Sequence, residues 1–211
     1  MLVGERMSRP VITLTPDVPV QEALAIFRRE HIRRAPVMKG SKLVGIVSST
    51  DLLHASASSV TSLSVWELHY LLSRITVSRV MTRKVLTVTE DTPIEEAARV
   101  MADNKIGGLP VMRDGVVIGI ITETDLFKLF LEFMGAREKG VRISALIDNK
   151  RGQLAAITKS VADAGGNFLA FGQFAGTDPT TRLVTMKIAG LAREGARKAL
   201  RPTVRKIIDI R

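Results

Sequence analysis

An α+β architecture is predicted, made of two similar units of order strand, helix, strand, strand, helix and a shorter third unit of order strand, helix, strand, strand, helix, strand. Three observations predict it. Gly45-Ile46-Val47-Ser48-Ser49-Thr50-Asp51-Leu52 returns as Gly119-Ile120-Ile121-Thr122-Glu123-Thr124-Asp125-Leu126. Within each copy, short β-branched runs alternate with segments of helical apolar spacing. After Gly140 the pattern changes and the basic charge rises.

A shift of 74 positions aligns Met7 to Leu53 with Met81 to Phe127 without a gap. Thr13 falls on Thr87, Asp17 on Asp91, Pro19 on Pro93, Ile32 on Ile106 and Pro36-Val37-Met38 on Pro110-Val111-Met112. This period exceeds those of common solenoids and occurs only twice, so a pair of pseudo-twin domains fits better than an array. Each copy is too small to bury much core alone, and pairing supplies the burial while leaving matching clefts between the twins.

In the first copy, Val11 to Thr15 reads as a strand, and Asp17 with Pro19 opens a helix carrying Val20, Ala23, Leu24 and Phe27. In the second, Thr92-Pro93-Ile94-Glu95 combines a capping hydroxyl, a proline at the first helical position and a glutamate closing a capping box. Ala35 to Met38 and Val44 to Ser48 then form two strands, matched by Leu109 to Met112 and Val117 to Thr122 around the hairpin signal Asp114-Gly115. A Ser- and Ala-rich connector with a short helix from Ser64 joins the copies, and the helix from Thr124 ends near Gly135. The expected domains are residues 1–57 for the first repeat, 58–76 for the helical connector, 77–135 for the second repeat and 141–211 for the terminal domain.

From Val141 a strand, a turn at Asn149-Lys150-Arg151-Gly152, a helix with Leu154, Ile157 and Val161, the pair Gly165-Gly166, two strands, a basic helix and a last strand near Val204 to Ile210 follow in order. That order is the βαββαβ of a ferredoxin-like sandwich.

Composition narrows the function classes. No apolar run approaches the ~20 residues of a membrane span, and the first residues, with Glu5, Arg6 and Arg9, do not read as a signal peptide, so a soluble cytoplasmic protein is expected. The absence of cysteine excludes disulfides and thiolate metal sites, and His31, His54 and His69 make no ligand spacing, so no metal is expected. Lys and Arg number 18 against 16 Asp and Glu in residues 1–139, but 13 against 5 in residues 140–211. A basic last third suits an anion, an acidic partner or nucleic acid. No nucleophile, base and orienter stand at a recognisable spacing, which argues against an enzyme.

The repeated strand-to-helix junction is the candidate ligand site. Helix N-termini offer unpaired N–H groups and partial positive charge, which suits phosphate, and a carboxylate one turn in suits the hydroxyls of a sugar. Ser48 with Asp51 and Thr122 with Asp125 also fit plain capping geometry, so both readings stand.

The repeats resemble a tandem CBS domain pair, or Bateman module, over essentially all of residues 1–134. The carriers are the Met-Ser-Arg and Met-Thr-Arg starts, Ala-Pro-Val and Leu-Pro-Val, and the two Gly-to-Asp junctions. The last third resembles an ACT domain through Asn149-Lys150-Arg151-Gly152-Gln153-Leu154, the helix after it and Gly165-Gly166-Asn167, with Asn149 and Arg151 standing where that family has an acidic residue and a proline. The order is similar to that of acetoin-utilisation-type regulatory proteins.

The resemblance implies adenine-nucleotide sensing, with AMP, ADP, ATP or an S-adenosyl compound as regulatory ligand and no required cofactor. Asp51 and Asp125 would take ribose hydroxyls, and Ser48 and Thr122 would meet phosphate. Thr13 and Thr87, with Arg33-Arg34-Ala35-Pro36 and Gly108-Leu109-Pro110, would line the adenine and sugar pockets. It also implies a homodimer, and an amino acid bound to the ACT domain near Asn149, Gly152, Gln153, Leu154 and Asn167. Gly152 and Asn167 equally suit plain turn formation. His31-Ile32-Arg33-Arg34 stands opposite Lys105-Ile106-Gly107-Gly108, so the cleft near the arginines is expected to take the more phosphorylated ligand, unless those side chains are merely solvated. The rival function is nucleic-acid binding through the basic terminal domain, where Arg193, Arg197, Lys198, Arg201 and Arg205 have near-helical spacing that also fits a solvated face.

Overall fold

The computed structural model describes residues 1–57 and 75–211. The connector expected over 58–76, with its helix from Ser64, lies outside the described residues except at its end. The chain divides into two compact units, Met1–Leu126 and Phe127–Arg211.

In the first unit the first repeat comprises α1 (Val20–Arg29), β1 (Arg34–Lys39), β2 (Lys42–Ser48) and α2 (Ser49–Ala57). A short helix α3 (Val77–Val80) leads into the second repeat, with β3 (Val88–Thr89), α4 (Ile94–Asn104), β4 (Gly108–Arg113), β5 (Val116–Thr122) and α5 (Glu123–Phe133). β1 pairs antiparallel with β2 and β4 with β5, in the same register: Pro36 faces Ile46 as Pro110 faces Ile120, and each hairpin carries a bulge one residue later.

Two local expectations are corrected. The strand over Val11 to Thr15 is reduced to a single parallel bridge, Leu14 to Val37. Pro10 and Pro16 flank it, and a residue without an N–H cannot extend a ladder. The capping box at Thr92 does not form: Pro93 occupies the N-cap, the helix starts at Ile94, and Thr92 Oγ1 accepts the Thr89 N–H at 3.1 Å. With the helix beginning one residue late, Thr92 lies outside capping reach.

The repeats exchange their leading segments. Val3 donates its N–H to Thr92 O at 2.9 Å and Ser8 bridges to Ile120, both in the second repeat. Reciprocally, Val77 donates to Val18 O at 2.9 Å and Thr82 bridges to Ile46 in the first. Val3 and Val77 are fully buried, and Val77 and Met81 belong to the core of Leu14, Val20, Phe27, Val37 and Leu52. Gly45 and Gly119 admit these leaders: a Cβ at either would fall 2.5 Å from the sulfur of Met81 or Met7.

Helix α5 ends at Gly135, whose φ of 57° lets Ala136 donate to Leu131 O and Gly135 to Glu132 O, each at 2.9 Å. The second unit continues with β6 (Val141–Asp148), α6 (Gln153–Asp163), β7 (Asn167–Ala175), β8 (Thr181–Ala189), α7 (Arg193–Leu200) and β9 (Lys206–Ile210). They form one antiparallel sheet in the order β7-β8-β6-β9. One sheet face, with Ile143, Ala145, Ile147, Val184, Met186 and Ile188, packs against Ile157 and Val161 of α6 and Ala196 and Leu200 of α7. Leu200→Ala is expected to cost about 2–5 kcal/mol in urea denaturation, because the buried leucine leaves a cavity between helix and sheet. On the opposite face Ser144 and Thr185 are buried neighbours whose hydroxyls lie 3.0 Å apart.

Candidate functional site

The two strand-to-helix junctions are built alike. Asp51 Oδ2 accepts the Ser48 N–H at 2.8 Å and the Ser48 hydroxyl at 2.7 Å, and the Asp51 N–H returns to Ser48 Oγ at 3.3 Å. Asp125 Oδ2 accepts the Thr122 N–H at 2.9 Å and the Thr122 hydroxyl at 2.7 Å. The hydroxyls expected to meet phosphate therefore point at the carboxylates and hold them. Ser49 donates its N–H to Arg33 O at 2.8 Å, as Glu123 does to Gly107 O at 3.1 Å. The N–H groups of Ser48, Ser49, Asp51, Thr122 and Glu123 are thus engaged by the protein itself, because a strand entering a helix directly leaves its own loops within reach.

The junctions differ at the second carboxylate oxygen. Asp125 is only 8% exposed, and its Oδ1 takes the Ser8 hydroxyl at 3.4 Å. Asp51 Oδ1 has no partner among the described residues and Asp51 borders a cavity of about 550 Å³. That volume lies within the ordinary range for small-molecule sites. Ile46, Val85 and Leu86 supply apolar wall, Ser49, Thr50, Thr82 and Asn104 supply polar groups, and Arg33, Arg34, Lys84 and Lys105 supply positive charge.

The difference follows from the residues facing each junction. Gly107 and Gly108 border the Asp51 cavity, and the 74-residue shift puts Arg33 and Arg34 in their place beside Asp125. Arg33 Nη2 donates to Thr124 Oγ1 at 2.8 Å, and Arg34 Nη2 lies 3.9 Å from Glu123 Oε2. Both arginines thus reach the start of α5. A methyl group on Gly107 would collide with the Arg34 guanidinium and the Glu123 carboxylate, so the glycines are what the arginine requires. Burial lowers the Arg34 pKa from its usual value, and Glu123 opposes this only in part.

Of the residues expected to bind nucleotide, the cavity brings together Arg33, Arg34, Ser48, Asp51 and Gly108. Thr13, Ala35, Pro36, Thr87, Leu109, Pro110, Thr122 and Asp125 do not border it. Ala35 and Leu109 are fully buried core residues, whereas Thr13 and Thr87 are exposed. Lys84 and Lys105 are additions that motif reading missed. Lys84 follows the Met-Thr-Arg start by one residue, and only the leader exchange brings it to the other repeat's junction.

A second cavity, about 400 Å³, lies wholly in the second unit, where β6 meets α6. Asn149, Gly152, Gln153 and Leu154 line it together with Lys150, Gln173 and Arg182, whereas Asn167 does not. The Gln153 amide is committed to Thr203 O, and the Asn149 amide donates to Pro179 O at 2.9 Å. Gly152, at φ 79°, takes a left-handed turn with open space around it. Lys150 and Arg205 hold the Asp148 carboxyl below the usual carboxylate range. In the basic run, Arg197 pairs with Glu194 at 3.4 Å and Arg205 with Asp148. No helix among the described residues is long and apolar enough to cross a membrane.

Comparison with known proteins bears on the first unit. The chain is 33% identical over 131 residues to the L-aspartate semialdehyde sulfurtransferase of Methanocaldococcus jannaschii, a match covering 61% of this chain and 23% of that enzyme. It spans less than half the length of the first relatives it matches. Among solved structures, the CBS domain pair of protein MJ0100 in complex with 5′-methylthioadenosine and S-adenosyl-L-methionine is 31% identical, with a TM-score of 0.53 over 65% of this chain and 98% of that one. A Vibrio cholerae protein described as an acetoin utilization protein (AcuB) is 30% identical, with a TM-score of 0.54 over 65% of this chain and 96% of that one. The CBS domain model matches twice, over residues 3–58 and 77–132, the two repeats whose junctions carry Asp51 and Asp125. With more than half of its length so matched, the chain belongs to the CBS-domain family.

Proposed function

We propose that this protein is a non-enzymatic regulatory sensor that binds one adenosyl compound per chain, in the Asp51 cleft between the repeats. The observation that carries this reading is the Asp51 carboxylate, held through one oxygen by Ser48 and left with no partner among the described residues on the other, in a residue that borders the 550 Å³ cavity. A carboxylate is acceptor-only and accepts the two hydroxyls of a ribose, and Ile46, Val85 and Leu86 offer apolar surface to a purine. The complex of the MJ0100 domain pair with two adenosyl compounds supports the ligand class. The Asp125 cleft is silent in this reading, because Ser8 already meets Asp125 and Arg33 already meets Thr124.

The same reading takes residues 1–57 and 77–135 as the two CBS repeats joined by 58–76, and 141–211 as an ACT-like domain. The order β7-β8-β6-β9 with both helices on one face supports the ferredoxin-like assignment. The cavity beside Gly152 supports a second small ligand there, an amino acid by class, and the exposed Phe127, Phe130 and Phe133 support a homodimer. Ligand binding switches such a protein only through unequal affinity for two of its arrangements.

Isothermal titration of the full chain with AMP, ADP, ATP and S-adenosylmethionine tests the reading. Saturation by at least one of them at one ligand per chain is the expected result. Two per chain would return the Asp125 cleft to service, and no binding by any of the four would remove the sensor assignment.

A further inference from the structure

The Asp51 cavity carries more positive charge than an adenosyl group alone would use. Four cations, Arg33, Arg34, Lys84 and Lys105, border it, and Asp51 is the one carboxylate among its lining residues. Arg33 is committed to Thr124. Arg34 is different: its side chain is 20% exposed, its ion pair with the largely exposed Glu123 spans 3.9 Å, and Asp51 attracts it only from beyond ion-pair distance. A guanidinium so placed has lost much of its hydration without gaining a close counter-charge. Neither Lys84 nor Lys105 has a side-chain partner among the described residues.

The backbone at Lys105 matches that of its twin His31, which also lies at φ 53°. It closes α4 in the left-handed region at φ 53°, a conformation that glycine or asparagine adopts at less cost. The turn is thus common to both repeats, and what sets Lys105 apart is the ammonium group it brings to the rim of the cavity. The amides of Ser48, Ser49 and Asp51 are already bonded within the protein, so charged side chains rather than the helix start are the groups left to receive an anion.

We propose that the Asp51 cavity selects phosphorylated adenosine compounds over the positively charged S-adenosyl sulfonium class, with Arg34, Lys84 and Lys105 setting the preference. The proposal rests on the reading of this cavity as the adenosyl site. Phosphate oxygens accept charge-assisted hydrogen bonds from guanidinium and ammonium groups. A sulfonium brings a like charge into the same space, where it is repelled. The sensor would then respond to the phosphorylation state of adenosine.

The test is titration of the full chain with ATP, AMP, adenosine and S-adenosylmethionine, in the wild type and in Lys84→Met with Lys105→Met. The expected order of affinity is ATP, then AMP, then adenosine, with S-adenosylmethionine weakest. The double variant should lose about tenfold or more for ATP, the scale of a hydrogen bond to a charged group, while adenosine affinity stays unchanged. Raising salt should weaken ATP and leave adenosine unmoved. Both lysines are exposed, so an unchanged melting temperature separates this loss from misfolding. S-adenosylmethionine binding as tightly as ATP, or a double variant with full ATP affinity, would overturn the proposal while leaving the adenosyl reading intact. Absence of binding by all four compounds would remove both.

Discussion

Asp51→Ala is expected to abolish adenosyl binding, whereas Asp125→Ala leaves affinity unchanged and lowers stability instead. Asp51 has one oxygen committed to Ser48 and borders the cavity, so in the proposed reading its loss removes the acceptor for both ribose hydroxyls. Hydrogen bonds to a charged group contribute about 1.5–3 kcal/mol each, enough for two to take a micromolar ligand out of the measurable range. Asp125 is itself buried and holds the half-buried Thr122 and the exposed Ser8. Its removal strands the Thr122 donors at a cost of about 1–3 kcal/mol. A thermal-shift series separates the two outcomes: the ligand-induced rise vanishes in Asp51→Ala, while in Asp125→Ala the baseline falls and the rise persists. The reverse pattern would move the working site to the second junction.

Val77→Asp and Val3→Asp are expected to unfold the first unit or bring it to the edge of unfolding. Each valine is fully buried, and each lies in a leader that belongs by sequence to one repeat and by packing to the other. A carboxylate there would be cut off from water, and an uncompensated buried charge costs on the order of 3–5 kcal/mol, a large share of the stability of an ordinary domain. Urea denaturation of each variant reads the loss, and Val3→Ile and Val77→Ile control for size. Because the leaders are exchanged, a lesson about folding follows: Val3→Asp should damage the second repeat, with Ile94, Ala97 and Met101, more than the first. Hydrogen exchange resolved by segment would show where protection is lost. Uniform loss across both repeats would mean that they melt as one cooperative body.

Much of this protein was legible before any coordinates. The 74-residue repeat located both hairpins, both aspartates and the hydroxyl residues that hold them, because a duplicated unit repeats its turn chemistry along with its apolar spacing. The pairs of β1 with β2 and β4 with β5 followed from local alternation and, in the second copy, from Asp114-Gly115. Local signals erred where a neighbour competed. Thr92 seemed a cap until Pro93 took the position, and Val11 to Thr15 had strand composition but prolines on both sides.

Sequence by itself determined the family, the duplication and Asp51 as a candidate sugar acceptor. Tertiary structure made the choice that sets the two equivalent junctions apart. That choice depends on Arg33 and Arg34 crossing to the start of α5, on Gly107 and Gly108 leaving them room, and on Ser8 reaching Asp125 through an exchanged leader. Structure likewise brought Lys84 to a junction more than thirty residues before it in the chain. The physical reason is range. Periodicity and turn chemistry act between near neighbours, whereas the charge and space around a ligand are set by side chains that meet only once the repeats have packed.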